Sequence, residues 1–294
     1  MESSSDDDGD SATSIVIKAA LLFIVILPFA VYKSPAKIKS IQSPTAVRTE
    51  SSKAPVVIAD PSKPVRKKKK LYLTFDDGPN KGTRNVLRIV QDEGVPVTFF
   101  IVGEHVFASS KQAEIWDSLK MAKQIGLCNH SYTHARSRYE SYYAQPDSVV
   151  SDFARTHDSL DLDNTVARTP GRNIWRIDTL QFTDLKKSAA AADSLQKAGF
   201  QLMGWDLEWH FDHKTLCVVT TGEKMVAHID SVFKHNRTKN KDHLVLLAHD
   251  QAYAKSEDSL QLRQFFQLLK QKDYELSLVR DYPGVERRDT VVVQ

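Results

Sequence analysis

The sequence predicts an α/β fold, a parallel sheet built from βα units. Three observations carry that expectation. Seven short β-like runs recur along residues 71–294, helix-like segments fill the intervals, and ionisable residues stand at the ends of five of the runs. In chain order, Leu71–Phe75 is a clean apolar run, followed by a helical segment over Thr83–Asp92. Val95–Val102 leads into Lys111–Lys123, and Ile125–Asn129 into Val149–Leu160. Thr165–Arg168 precedes Ser188–Ala198, which Gly199 stops. Phe200–Leu207 precedes Gly222–Lys234, His243–Ala248 precedes Ser256–Gln271, and Tyr274–Val279 closes the series. About 210 residues of this pattern suit a closed barrel or a doubly wound open sheet, and in both the function gathers at the C-terminal strand ends.

The chain has 294 residues, 41% of them hydrophobic, so a sizeable core is available. Two cysteines exclude a scaffold built on disulfides. The net charge of +3 hides a strong asymmetry. Residues 1–14 form an acidic, disordered tail of −5, and 33–70 form a Ser/Pro/Lys-rich disordered linker of +9 ending in Arg66-Lys67-Lys68-Lys69-Lys70. Between them, Ile15–Tyr32 is nearly all apolar and reads as a transmembrane anchor; a cleavable signal peptide and a buried core helix are the rival readings. The lysine run could touch anionic lipid or an acidic polymer, or be a solvated linker end. The catalytic domain is expected at 71–294, with a net charge of −2 and no basic face legible in its sequence, so no nucleic-acid partner is expected.

The chemistry concentrates at the strand ends. Asp76 and Asp77 follow the first run, His130 and His134 the third, Arg168 ends the fourth, Asp206 and Glu208 the fifth, and His249 the sixth. Two imidazoles four residues apart can face one ion, but an HxxxH pair alone is weak evidence and no Glu makes it HExxH. Adjacent carboxylates repel, which separates their roles: one can hold a metal while the other takes a proton. An ordinary Asp-Gly-Pro turn is the bland alternative. A carboxylate and two imidazoles make a three-ligand set for Zn²⁺ or a similar divalent ion such as Co²⁺, suited to hydrolysing an amide or ester. His249, after the apolar run Leu244–Ala248, is a candidate acid for the leaving amine.

These residues fall in five ordered stretches: Thr74-Phe75-Asp76-Asp77-Gly78-Pro79, His130-Ser131-Tyr132-Thr133-His134, Arg168-Thr169-Pro170-Gly171, Trp205-Asp206-Leu207-Glu208-Trp209 and Leu247-Ala248-His249-Asp250. Over about residues 71–282 they resemble the motifs of the polysaccharide deacetylases, the NodB-homology group of carbohydrate esterase family 4. The resemblance implies a distorted (β/α)7 barrel and metal-dependent removal of N- or O-acetyl groups from an acetylated polysaccharide. It implies Asp77, His130 and His134 as metal ligands, Asp76 as general base oriented by Arg168, and His249 as general acid paired with Asp206. Pro170, Gly171, Trp209 and Leu247 would contact substrate, Leu247 lining the pocket for the acetyl methyl and an amide near Gly171 stabilising the oxyanion.

Two departures stand out. The family places an aromatic residue where Gly171 stands, and its fourth motif spaces the two acids one residue further apart than Asp206 and Glu208. Trp175, Trp205 and Trp209 are either sugar platforms or core. Cys128 and Cys217 default to buried free thiols, Cys128 being conceivable as an extra metal ligand. Alternative functions are the same site acting on a small non-sugar amide, or an idle carbohydrate-binding module. No protein partner is implied. The basic residues after 15–32 would place the domain in the cytoplasm by the positive-inside rule; an envelope polysaccharide would place it outside, which is the expectation adopted.

Overall fold

The computed structural model describes residues 68–286. The tail 1–14, the anchor expected at 15–32, nearly all of the linker and residues 287–294 lie outside the described residues. Among the described residues, no helix is long and apolar enough to cross a membrane.

The centre of the sheet is β1 (Lys69–Gly78), which starts two residues before the expected linker boundary. Backbone pairing explains the shift, because Lys70 is matched by His243 on one side and Glu275 on the other. One edge of β1 pairs with β9 (His243–His249) from Lys70 to Asp76. The other edge is shared: β10 (Tyr274–Ser277) takes Lys69–Tyr72 and β2 (Val97–Ile101) takes Thr74–Gly78. Beyond β2 the order continues through β3 (Ile125–Asn129) and β4 (Val166–Ala167) to β7 (Gln201–Leu202). An antiparallel hairpin of β5 (Ile174–Ile177) and β6 (Leu180–Thr183) adds to β7, and β8 (Leu207–Glu208) pairs with β9.

The sheet is thus curled and mixed. Its two ends meet on one run of chain, since Gln201–Leu202 pairs with β4 and Leu207–Glu208 with β9. The closed ring of seven parallel units that was expected is interrupted there. The carbonyls of Met203 and Gly204 leave the ladder and accept hydrogen bonds from Arg168 Nε and Nη2, at 3.0 and 2.9 Å. Around them, only Met203 N–H to Ala167 O and Asp206 N–H to Val245 O, both 2.9 Å, carry the pairing across.

Strand alternation sorts the side chains into two layers. On β1, Leu71, Leu73 and Phe75 face outward into a core shared with α1 (Thr83–Glu93), α3 (Ser110–Met121), α7 (Gly222–Lys234) and α8 (Ser256–Leu269). Helix α1 buries Val86, Leu87, Ile89 and Val90, each contributing about 1.5–3 kcal/mol. It ends at Gly94, whose left-handed φ of 63° lets its N–H reach back to the Val90 and Gln91 carbonyls. A second cluster joins α5 (Pro146–Leu160) and α6 (Ala189–Lys197) to β4. The inner layer draws Tyr72, Phe100, Cys128, Val166, Met203 and Val245 from successive strands. Above these side chains, at the C-terminal strand ends, alternation delivers Asp76, His130, Arg168 and His249.

Candidate active site

Alternation alone would send Asp76 inward and Asp77 outward. The chain avoids this with a bulge: Asp76 pairs with Phe100 and Gly78 with Ile101, leaving Asp77 as the extra residue. Its φ of 75°, tolerated by Asp better than by most residues, turns its side chain back to the rim. His105 Nδ1 lies 2.8 Å from the Asp77 carbonyl and fixes the distorted peptide. Two adjacent carboxylates therefore reach one cleft.

The two histidines come from the loop after β3, not from one helical turn. Ser131 has φ 63°, and His134 begins a run of four residues with positive φ. Side chains hold this backbone: Asn129 Oδ1 accepts from Ser131 N–H at 2.9 Å and Ser131 Oγ from His134 N–H at 3.0 Å. The contact between His130 Nδ1 and the Arg168 carbonyl, 2.8 Å, requires the proton on Nδ1 and leaves the Nε2 lone pair facing inward. His130 Nε2 and His134 Nε2 lie 3.4 and 3.1 Å from Asp77 Oδ1.

These three atoms fit a metal ion. Asp77 Oδ1 is buried without a hydrogen-bond partner among the described residues, with the two Nε2 atoms turned toward it. One oxygen and two nitrogens, all within 4.8 Å of one another, form the one such group of three among the described residues. Nitrogen and oxygen donors in this number suit Zn²⁺ or a related divalent ion. Without an ion, burial pushes the Asp77 carboxyl up, but His130, His134 and His249 outweigh it and hold the carboxyl well below its usual range. Burial likewise pulls His130 down, while Asp76 and Asp77 raise it further than burial lowers it. The Asp77–imidazole set holds excess charge that a cation would take up.

Asp76 is 2% exposed and has a different environment. Its Oδ1 accepts from Arg168 Nη1 at 2.8 Å, while Oδ2 points to the cleft, 3.6 Å from His130 Nε2. Arg168 is fully buried beneath it, donating also to Thr74 Oγ1 at 2.7 Å and stacking 4.0 Å from the Phe100 ring. Removing either partner of such a buried pair strands the other's charge.

Comparison with known proteins agrees with this geometry. Residues 63–193 match the family model for polysaccharide deacetylase. The chain is 22% identical to the chitin disaccharide deacetylase of Vibrio alginolyticus over 72% of its own length and 71% of that protein's. A segment covering 31% of it is 39% identical to the chitooligosaccharide deacetylase of a Bradyrhizobium strain, of which it spans 35%. Its fold superposes on a Streptococcus mutans CE4 esterase with a TM-score of 0.54 and 26% identity, covering 72% of this chain and 86% of that one. The resemblance carried by the five motifs is thus shared by a family-model match over residues 63–193 and by these relatives, so the chain is similar to the polysaccharide deacetylases.

The cleft, about 530 Å³, collects most of the expected residues: Asp76, Asp77, His130, His134, Gly171, Leu247 and His249. Three expectations change. Asp206 does not serve His249: its carboxylate accepts from Lys239 N–H at 2.6 Å and Val245 N–H at 2.9 Å, and it lines an outer cavity with Leu207, His228 and Arg237. Burial raises that carboxyl to about 6, against those two backbone bonds. Glu208 reaches the cleft instead, 3.2 Å from His210 Nδ1. Trp209 is 1% exposed, donates to the Thr220 carbonyl and packs on Tyr253 and Phe265, so it is core, as is Trp175. Pro170 is absent from the cleft wall and uses its carbonyl to accept from Tyr143 OH at 2.7 Å. Cys128, by contrast, is the buried free thiol expected, in the inner layer and outside the metal-type group, and Cys217 is a free thiol but only half-buried.

The His249 ring packs 5.1 Å from Phe211, and its Nδ1 is buried with no hydrogen bond among the described residues. Family resemblance did not reveal Tyr139, on the short helix α4 (Tyr139–Tyr143). An added Cβ at Gly171 would stand 3.0 Å from its ring, so Tyr139 fills the space beside that glycine and contributes an aromatic face to the cleft. Nothing in the local spacing marks it. His105 could have been found, since it follows β2 as the other site residues follow their strands.

Proposed function

We propose that this cleft removes acetyl groups from N-acetylated, and potentially O-acetylated, polysaccharide by metal-assisted hydrolysis, with N-acetylglucosamine polymers as the leading substrate class. The convergence of Asp77 Oδ1, His130 Nε2 and His134 Nε2, all within 4.8 Å of one another, carries the reading. Those three residues would hold Zn²⁺ or a similar ion, which when bound lowers the pKa of water to about 7 and polarises a carbonyl. Asp76 serves as base: Arg168 occupies Oδ1, so Oδ2 is free to take a proton from water. His249, on the neighbouring strand, gives a proton to the departing amine or alcohol.

Leu247 supplies an apolar wall matched to a methyl group, and the Gly171 N–H, free of any hydrogen bond among the described residues, can donate to the carbonyl oxygen as it becomes an oxyanion. Tyr139 and Trp205 offer aromatic faces to a sugar ring. The names of two relatives, acting on chitin fragments, support the substrate class. Purified full-length chain, stripped with chelator and reloaded with Zn²⁺ or Co²⁺, should release acetate from chitin oligomers only when loaded. Release from small amides but from none of chitin oligomers, peptidoglycan and acetylxylan would refute the reading. An envelope substrate further places the domain on the outer side of the membrane, with 15–32 as its anchor; a topology reporter fused to the C-terminus tests that.

A further inference from the structure

The N-terminal strand ends form the face opposite the cleft, and they gather a charge pattern that the summed −2 of the domain conceals. Lys68, Lys69 and Lys70 enter β1 there. Beside them lie the last residue of α7 and the loop to β9, Lys234-His235-Asn236-Arg237-Thr238-Lys239-Asn240-Lys241-Asp242, with four bases and one acid. These segments are far apart in sequence, yet Lys68, Lys69, Lys234 and Lys241 line one cavity of about 590 Å³.

Local acids neutralise only part of this face: Glu275 pairs with Lys70 at 2.8 Å. Asp242 and Asp273 are the acids of that cavity, and Asp273 is engaged by Lys68 at 2.8 Å. Lys69 Nζ lies over the Phe233 ring at 5.1 Å, while Lys234 and Lys241 are exposed and form no ion pair among the described residues. Arg66 and Lys67 precede the patch in sequence. No such face is legible in the sequence, because it is assembled from two distant segments.

We propose that this face docks on an anionic lipid surface. Charge alone would also suit a nucleic acid, but the chain that enters the patch carries the apolar run Ile15–Tyr32 upstream, which pairs a hydrophobic signal with a polybasic one. Orientation supports the same partner. Seven residue steps of β1 separate Lys69 from Asp76, about 23 Å, so a docked domain presents its cleft away from the surface, open to a polymer.

The test uses the full-length chain and vesicles of phosphatidylcholine with or without phosphatidylglycerol. Each base near such a surface is worth roughly five-fold in partition, so Lys234→Gln with Lys241→Gln should weaken binding to the anionic vesicles by roughly 25-fold. Binding to neutral vesicles and the circular dichroism melting curve should not move, since neither side chain holds a partner in the fold. Salt near roughly 0.5 M should erase the preference of the unaltered chain for anionic lipid. Equal binding of the double variant and the unaltered chain to anionic vesicles would overturn the proposal. So would binding of duplex DNA as tight as that of anionic vesicles and equally weakened by the two substitutions.

Discussion

The two ends of β1 use charge in opposite ways. At the C-terminal end, Asp76 and Asp77 are adjacent, largely buried, and separated in role by a bulge and a single arginine. At the N-terminal end, Lys68–Lys70 are at least partly exposed and are joined by a flexible number of neighbours. Buried charge depends on individual partners and ångström-scale placement; exposed charge depends on how many groups share a face. Single substitutions should therefore be severe at the first end and small and cumulative at the second.

The sharpest contrast is within the carboxylate pair. Asp76→Asn should lower turnover by about 10²–10⁴-fold while elemental analysis finds metal content unchanged. Asp77→Asn or His134→Ala should instead lose the metal, and metal loss from Asp76→Asn would interchange the roles. Next, Arg168→Met strands a buried carboxylate and should cost about 3–5 kcal/mol in urea unfolding. A change within error would mean that the guanidinium does not hold Asp76.

Asp250 extends the comparison to pH. Burial raises its carboxyl from 3.8 to about 8, helped by Asp77 and opposed by hydrogen bonds from Thr83 and Asn80. The folded chain then keeps a proton that the unfolded chain has lost. Its contribution to stability is complete below about pH 4 and declines as pH rises toward 8, with a slope approaching about 1.4 kcal/mol per pH unit. Urea midpoints measured across that window should fall, and Asp250→Ala should flatten the trend. The smallest of these effects within the cleft is Gly171→Ala. At φ 62°, with Tyr139 3.0 Å from the new Cβ, it should cost about 1–2 kcal/mol, read from the same urea curves.

Much of this rim was legible because strand periodicity and site chemistry coincide. Six of the seven expected strands form and the fifth, Phe200–Leu207, splits into β7 and β8, while Asp76, His130, Arg168 and His249 lie where alternation sends them. Legibility ended where tertiary contacts overrule alternation. Asp206 turns outward because the ladder breaks at Met203 and Gly204, so two successive residues, Asp206 and Leu207, share the outer side. Trp209 belongs to the core because α8 offers Phe265 at 4.9 Å, a neighbour 56 positions away that local spacing cannot show. The β5–β6 hairpin was missed although Asp178, with φ 48°, makes the tight turn between Ile177 and Leu180. Its strands are four residues each, too short for alternation to stand out against the surrounding helices.

Arg168 has a consequence for the order of events in assembly. The same guanidinium draws in the Met203 and Gly204 carbonyls, where the ends of the sheet meet, and orients the Asp76 carboxylate. Hydrolytic competence is therefore expected only once β4, the Met203–Gly204 segment and β1 have come together, and a chain with its helices formed but these strands apart should be inert. We expect regain of acetate release during refolding to lag the return of the far-ultraviolet circular dichroism signal; simultaneous recovery would separate closure from competence. Timing, and not only geometry, is written into one side chain.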